Sequence, residues 1–217
     1  MNPSQFEKQL REALSLDLHY AHRVHRDLTE FAKANATSAS VLVLFGYSQI
    51  PSQVEHADSR LSLLYIRRTD AVETHKGQIA FPGGRTEPEE VNRPDITALR
   101  ETEEEVGISR DKVTLFGQLP PLFTVTGYLI QPFVGILNQS ISEVSLTLDP
   151  HETAEAIWTP LVSLLDPGAY QAQTYKVGNV HYPIDVYQYQ HHRIWGATGS
   201  MTKNLLDRLH KVGNSLR

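Results

Sequence analysis

The order of hydrophobic and polar positions along the chain predicts a mixed α/β fold. Short apolar or β-branched runs, which are typical of buried strands, occur at Val41–Phe45, Leu61–Ile66, Val113–Gln118, Leu129–Leu137 and Thr153–Trp158. Tyr175–Gln190 alternates imperfectly and predicts a β-hairpin with Gly178 and Asn179 at its turn. The polar segment Gly46–Ser59 predicts a loop between the first two strands.

Helical periodicity occurs at both ends of the chain. Ser4 and Glu7 have the spacing of a capping box, and an amphipathic pattern continues from them to Leu14. Further helical patterns cover Leu18–Ala34, Pro160–Leu165 and Met201–Val212. Strands that alternate with helices indicate a mixed sheet covered by helices. We find no repeat, low-complexity tract or long linker, so the 217 residues predict a single domain.

Three histidines recur at intervals of three in the second helical pattern, at His19, His22 and His25. Regular spacing of this kind is one feature of metal sites. These histidines have no carboxylate or cysteine companions in a ligand pattern, however. We therefore interpret them as surface residues.

One acidic segment carries most of the functional information. The glycine turn Gly83–Glu90 leads to Arg100–Ile108, where four of the five positions from 101 to 105 are glutamate. Neighbouring carboxylates repel one another, which disfavours the helix. A bound cation would remove that repulsion, and carboxylate oxygens suit Mg²⁺ or Mn²⁺ rather than zinc. The alternative is a solvated charged helix without a ligand.

Helix geometry sharpens this prediction. Residues three and four apart share a face, so Glu101, Glu104 and Glu105 point in roughly the same direction. Arg100 lies four residues before Glu104 and is placed to orient its carboxylate, while Gly107 predicts the end of the helix. The apolar residues expected to face the core are Ile96, Leu99 and Val106.

The spacing from Gly84 to Glu90, followed by Arg100–Ile108, resembles the signature of the Nudix hydrolases. One departure is an insertion between Glu90 and Arg100, located in Val91–Asp95, which leaves the role of Glu90 open. The resemblance implies a Nudix-type α/β/α sandwich with a mixed sheet. It also implies that residues 1–217 form a single Nudix hydrolase domain with an N-terminal helical extension over about residues 1–35.

Further segments resemble the coenzyme A pyrophosphatase branch of this family. They are His75–Gly84, Thr97–Glu101, Leu119–Tyr128, Pro132–Gly135 and Ile194–Thr198. The resemblance implies hydrolysis of coenzyme A or its derivatives to 3′,5′-ADP and 4′-phosphopantetheine. A homodimer is compatible with it.

The resemblance also implies a set of site residues. We expect Glu101, Glu105, Glu104 and the carbonyl of Gly84 to hold Mg²⁺ or Mn²⁺, and Arg100 to orient a carboxylate. The general base is either a glutamate of the helix or Glu152 in a later loop, with Glu155 the weaker choice. A strand-edge charge that faces water is the alternative for Glu152.

Substrate contacts are expected from residues around the glycine turn and late in the chain, namely His75, Lys76, Gly127, Tyr128 and Trp195. Large aromatic residues more often serve the core, so packing is the alternative for Tyr128 and Trp195. Surface loop positions are the alternative for His75 and Lys76.

Composition narrows the remaining classes of function. The formal charge of −5 does not favour nonspecific binding to a nucleic-acid backbone. The absence of cysteine excludes disulfides, thiolate metal sites and a cysteine nucleophile. No apolar segment is long enough to span a bilayer and no secretory h-region is visible, so we expect a cytoplasmic protein.

Three hypotheses stay open: a coenzyme A diphosphatase, a Nudix hydrolase of another diphosphate such as a nucleoside diphosphate sugar or a dinucleotide, and a non-catalytic ligand-binding regulator. The intact acidic array of the helix argues against the regulator, because a binding protein has no need of it.

Overall fold

The computed structural model describes residues 3–17, 36–48, 61–70, 76–177 and 180–215. The α-helices and strands of these residues are labelled α1 to α4 and β1 to β11 in chain order. The helices are α1 (Pro3–Ser15), α2 (Pro94–Val106), α3 (Leu161–Leu165) and α4 (Gly196–Ser215). The strands are β1 (Thr37–Tyr47), β2 (Leu61–Arg68), β3 (Ile79–Ala80), β4 (Gly83–Arg85), β5 (Val113–Gln118), β6 (Leu122–Phe123), β7 (Tyr128–Ser140), β8 (Thr153–Pro160), β9 (Tyr170–Val177), β10 (Val180–Tyr189) and β11 (His192–Ile194).

A large mixed sheet is built around β1. This strand runs parallel to β7, and it pairs antiparallel with β2 near its end and with β4 near its start. Strands β5 and β6 extend the sheet from β7, while β3 and β8 pair with β2. A second, three-stranded sheet has the order β11-β10-β9. The pairing of β4 with β1 brings the glycine turn to the centre of the large sheet.

Apolar residues cover both faces of the large sheet. Along β1, Val43 and Phe45 point into one core, and Leu42 and Leu44 point into the other. Besides residues of the large sheet, the first core includes residues of α1, α3, α4 and the three-stranded sheet, and the second includes residues of α2 and of the segment that follows it. This α/β/α layering confirms the fold class predicted from the sequence.

Helix α2 has well-defined ends. Pro94 occupies the first turn, where its missing N–H costs no hydrogen bond. Gly107 follows the helix with φ 75°, a left-handed conformation that glycine adopts without strain, and its N–H donates to the carbonyl of Glu103 at 2.9 Å. The helix therefore ends where the sequence predicts.

The buried face of α2 is rotated from the expected one. Ile96 and Leu99 are only partly buried, whereas the buried residues are Thr97, Ala98, Thr102, Glu105 and Val106. The hydroxyl of Thr102 donates to the carbonyl of Ala98 at 2.7 Å, so a polar residue is accommodated in the core. Leu99 nevertheless packs against the core beneath α2, and Val106 belongs to that core, so the prediction from the helical wheel is confirmed for these two residues. It is wrong for Ile96, because α2 packs the smaller residues Thr97 and Ala98 against the sheet at that end.

The remaining elements mostly agree with the predicted ones. Strand β5 has its predicted bounds, β1, β2, β7 and β8 extend one to four residues beyond theirs, and β9 begins at Tyr170, five residues before the predicted hairpin. Gly46 and Tyr47 belong to β1 rather than to a loop. Helix α1 begins at Pro3, so Ser4 lies inside its first turn and not at its cap. The predicted helix Leu18–Ala34 with its three histidines lies outside the described residues, as do Gly178 and Asn179. No helix within the described ranges has the length and apolarity that a bilayer-spanning segment requires.

The core beneath α2 should be essential for stability. Leu44 is fully buried there, so Leu44→Ala should lower the free energy of unfolding by about 2–5 kcal/mol, through lost apolar contact and the cavity left behind. Leu165→Ala makes the same chemical change at a side chain that is 48% exposed, and should change it by less than about 0.5 kcal/mol. Urea denaturation of both variants measures the difference, and equal losses would contradict this assignment of the core.

Candidate active site

Two glycines let the turn at β4 approach both the sheet and α2. A Cβ atom on Gly83 would collide with the carbonyl oxygen of Ser40 and lie 2.6 Å from the Cα atom of Val41. A Cβ atom on Gly84 would collide with the carboxyl group of Glu101. The absence of side chains at these two positions is therefore what allows the helix carboxylates to lie against the turn.

Glu105 is a buried carboxylate at the base of this arrangement, with 2% of its surface exposed. Its Oε2 atom accepts a hydrogen bond of 2.9 Å from the backbone N–H of Gly83, and its Oε1 atom accepts one of 3.4 Å from Nη1 of Arg68. Burial raises the pKa of Glu105 to about 8, although both of these donors act in the opposite direction. A cation beside this carboxylate would stabilise its charged form.

Arg100 connects several acidic groups at the exposed side of the turn. It forms a bidentate pair with Glu90, with Nε–Oε1 and Nη2–Oε2 distances of 2.9 and 3.1 Å. Its Nη1 atom lies 2.8 Å from Oε2 of Glu104 and 2.9 Å from Oε1 of Glu101. Nη2 also donates to the carbonyl of Arg85 at 3.2 Å. One guanidinium group thus fixes three carboxylates relative to the glycine turn.

Glu90, whose role the sequence left open, is the bidentate partner of Arg100. It ends the short 3₁₀ turn Pro88–Glu90, is 9% exposed, and also accepts a hydrogen bond of 2.8 Å from the hydroxyl of Thr97. The hydrogen bonds from Arg100 lower the pKa of Glu90 to about 2, so it is ionised at neutral pH. The inserted residues form a turn before Pro94, and the insertion leaves this pair intact.

Glu101 and Glu152 complete the group of carboxylates. Burial raises the pKa of Glu101, opposed by Arg100 and reinforced by repulsion from Glu104 and Glu152. Glu152 precedes β8, is about half exposed, and has its Oε2 atom 4.0 Å from Nη2 of Arg68. The structure therefore brings the predicted loop glutamate to the helix carboxylates, with Arg68 between Glu152 and Glu105.

The predicted substrate contacts fall in different places. The hydroxyl of Tyr128 accepts a hydrogen bond of 2.8 Å from Nη2 of Arg85, so Tyr128 adjoins the glycine turn, and Gly127 precedes it with φ 82°.

Trp195 instead contacts Tyr175, with ring centroids 5.4 Å apart, on the three-stranded sheet. That sheet shares its core with the face of the large sheet opposite α2. Lys76 is exposed in a turn, and His75 lies outside the described residues.

Two arginines near the carboxylates were not found from the sequence. Arg68 contacts Glu105 and Glu152, and Arg85 contacts Tyr128 and Arg100. Arg68 could have been found, because Arg67 and Arg68 end the mostly apolar strand β2. Consecutive strand residues face opposite sides of a sheet, so one of the two arginines had to lie on the side of α2. Arg85 had no comparable signal, since its position depends on how β4 pairs with β1.

The donor set of this cluster fits a hard divalent cation. Glu101, Glu104, Glu105 and Glu152 supply only carboxylate oxygens, which Mg²⁺ and Mn²⁺ prefer. The raised pKa values of Glu101 and Glu105 are a physical sign of the same fit, because each reports a carboxylate whose negative charge is incompletely compensated by the protein alone.

The chain is similar in sequence to known proteins. The NUDIX domain matches residues 54–177. A protein of Photorhabdus laumondii named uncharacterized Nudix hydrolase NudL is 37% identical over 148 residues, which cover 68% of this chain and 77% of that protein. Its namesake from Yersinia enterocolitica is 33% identical over 149 residues, which cover 69% and 74% of the two chains.

Among solved structures, the Nudix hydrolase RenU from M. smegmatis is similar over 84% of this chain and 88% of its own, with a TM-score of 0.47 and 16% identity. This similarity is too distant to inform function. The domain match extends over more than half of the chain, and the two relatives cover more than two thirds of it. The chain belongs to the Nudix family.

Proposed function

We propose that this protein is a metal-dependent hydrolase that cleaves the phosphoanhydride of coenzyme A or its derivatives, giving 3′,5′-ADP and 4′-phosphopantetheine. The observation that carries the proposal is the carboxylate cluster of α2 held against Gly83 and Gly84 by Arg100. Such an arrangement costs stability through repulsion and burial, and a diphosphate substrate with its cation would offset that cost.

The metal ligands in this proposal are Glu101, Glu104, Glu105 and the carbonyl of Gly84. A divalent cation bound there would neutralise phosphate charge and lower the pKa of a bound water. Arg100 and Arg68 hold the carboxylates in place, so that little reorganisation is needed when substrate binds. Glu90 contributes by fixing Arg100 from its far side.

We assign the proton acceptor to the carboxylate of Glu152, with Glu101 as the alternative. Glu152 is half exposed and lies close enough to Glu101 and Glu105 for its charge to raise the pKa of both. Glu152 is therefore both accessible to solvent and adjacent to the carboxylates of α2. Arg68 lies beside it and restricts the orientation of its side chain.

Coenzyme A is the favoured substrate because several segments of the chain resemble the coenzyme A pyrophosphatase branch of the family. The position of one of these segments supports this substrate. Tyr128, from the segment Leu119–Tyr128, is hydrogen-bonded to Arg85 beside the glycine turn. Arg85 provides a positive charge at that edge, where a phosphate of the nucleotide would gain from it. Another nucleoside diphosphate derivative is the second candidate, since the family comparisons fit either substrate.

A substrate panel tests this proposal. With Mg²⁺ or Mn²⁺, the protein should convert coenzyme A to 3′,5′-ADP, measured by chromatography of the products. Glu101→Gln should reduce kcat by about 10²–10⁴-fold, as expected for a group that acts at the reacting atoms. Glu103→Gln is the matched control, because Glu103 pairs with Arg110 at 3.5 Å outside the cluster, and it should keep full activity.

The other outcomes of the panel are equally informative. Cleavage of nucleoside diphosphate sugars or dinucleotides, without cleavage of coenzyme A, would show that the proposed substrate is wrong and that the proposed phosphoanhydride hydrolysis is right. Binding without any turnover would contradict an enzymatic role. Equal activity of the two glutamine variants would remove Glu101 from the site.

Glu90→Gln tests whether the pairing with Arg100 matters. The amide keeps the shape of Glu90 but loses the charge that holds the guanidinium group, so activity or metal affinity should fall about 10–100-fold. Glu89→Gln changes an exposed neighbour and should have no effect. The kinetics of both variants at several Mg²⁺ concentrations measure the result. A Glu90→Gln variant with unchanged kinetics would show that Arg100 does not need this partner.

The raised pKa of Glu105 predicts a pH-dependent stability in the metal-free protein. Burial raises this pKa from 4.5 to about 8, so between these values the folded protein holds a proton that the unfolded chain releases. The stabilising contribution of this proton is complete below pH 4.5, and it is lost as the pH rises through about 8. The charged groups that act on Glu105 are Arg68, Glu101 and Glu152.

Urea denaturation across this pH range measures the effect. The free energy of unfolding of the wild type, relative to that of Glu105→Gln, should decrease as the pH rises. Added Mg²⁺ should reduce the decrease, because cation binding favours the ionised carboxylate. Parallel pH profiles for the two proteins would contradict the assignment of the raised pKa to Glu105.

A further inference from the structure

A second group of metal-ligating side chains lies away from the carboxylate cluster. Glu155 on β8 and the consecutive histidines His191 and His192 each offer one ligand atom, and these atoms all lie within 4.8 Å of one another. His192 begins β11, and His191 lies in the turn that joins it to β10. The group therefore joins the large sheet to the three-stranded sheet.

This group is on the opposite face of the large sheet from α2. Glu155 lies two residues before Ile157 in β8, so the two side chains share a face of the sheet. Ile157 belongs to the core that includes residues of α1 and α4. The partner of Glu155 across the strand pair is Arg67, whose Nε atom lies 3.2 Å from Oε2 of Glu155. The carboxylate cluster instead contacts Arg68, the next residue of β2, through Glu105. The two groups of ligands are thus separated by the sheet itself.

The distance between Glu155 and His192 is close to the one that two ligands of a metal ion have. Nε2 of His192 lies 3.5 Å from Oε1 of Glu155, which is too long for a strong hydrogen bond. Two ligands bonded to one tetrahedral zinc ion lie about 3.3 Å apart, given bond lengths of roughly 2.0–2.1 Å. Because Arg67 binds Oε2, it leaves Oε1 directed at the histidines and holds the carboxylate in that orientation.

The ligand types select a different class of ion from the first site. Imidazole nitrogens suit zinc, cobalt, nickel and copper, whereas Mg²⁺ prefers an all-oxygen environment. His192 is buried, with 4% of its surface exposed, and His191 is exposed, so the group has one anchored ligand and one that an ion can reach from solvent.

We propose that Glu155, His191 and His192 form a second metal site, selective for a divalent transition-metal ion such as Zn²⁺ and independent of the Nudix carboxylates. A bound ion links β8 to β11 and so stabilises the contact between the two sheets. Three protein ligands leave a further coordination position for water.

The test uses the full chain with excess Mg²⁺, which competes with the titrated ion for the carboxylate cluster, and titrates Zn²⁺ by calorimetry and Co²⁺ by visible absorption. The wild type should bind one equivalent of each and give the absorption bands of Co²⁺ with nitrogen ligands. His191→Ala should reduce the affinity at least about tenfold, since it removes a ligand. His191 is exposed, so this variant should fold normally.

His181→Ala is the matched control, because His181 is an exposed histidine of β10 outside the group, and it should bind Zn²⁺ as the wild type does. Glu155→Gln should weaken binding as His191→Ala does, without disturbing the buried His192. Zn²⁺ should also raise the Tm of the wild type and of His181→Ala, but not that of His191→Ala.

Equal Zn²⁺ affinity in the wild type and His191→Ala, or an equal loss in His181→Ala, would overturn the second site. These readouts do not depend on hydrolysis, so they decide the question even if coenzyme A is not the substrate. His191→Ala should keep the Mg²⁺-dependent activity of the wild type, because the Nudix carboxylates lie on the other face of the sheet.

Discussion

The pairing of Arg100 with Glu90 is the interaction on which the organisation of the carboxylate cluster depends. Without it, the guanidinium group that also contacts Glu101 and Glu104 would keep only the carbonyl of Arg85 as a partner outside its own helix. Glu90 is itself fixed by Thr97 and by the backbone of its short turn. A chain of charge-assisted hydrogen bonds therefore transmits the geometry of the glycine turn to the exposed face of α2.

The cluster shows how a protein tolerates like charges close together. Arg100 compensates the outer carboxylates, and Arg68 and the N–H of Gly83 compensate the inner one only in part. Glu105 consequently has a raised pKa, whereas Glu90 has a lowered one, although both are buried. The difference lies in the charged donors: Glu90 accepts two hydrogen bonds from the guanidinium group of Arg100, whereas Glu105 accepts a single long one from that of Arg68 beside the neutral N–H of Gly83.

Local patterns predicted the elements and their order, because strand and helix periods are properties of neighbouring residues. The helix of the site and its end at Gly107 were predictable in this way. The contacts of Arg85 and Arg68 were not, since they depend on strand pairing between distant segments. Glu90 shows the same limit. The insertion could be located in the loop before the helix, but whether Glu90 still reaches Arg100 depends on the turn that this loop forms.

Arg67 and Arg68 occupy successive positions at the end of β2, and their side chains leave the sheet in opposite directions, one toward Glu155 and the other toward Glu105. A single register of one strand therefore sets the charge balance on both faces of the protein. Loss of one residue earlier in β2 would put Thr69 in place of Arg68, and gain of one would put Ile66 in place of Arg67. Either change would remove the guanidinium group from one face while the apolar residues of the strand exchange faces. The length of this strand is thus constrained more tightly than its apolar composition, which many combinations of residues would satisfy.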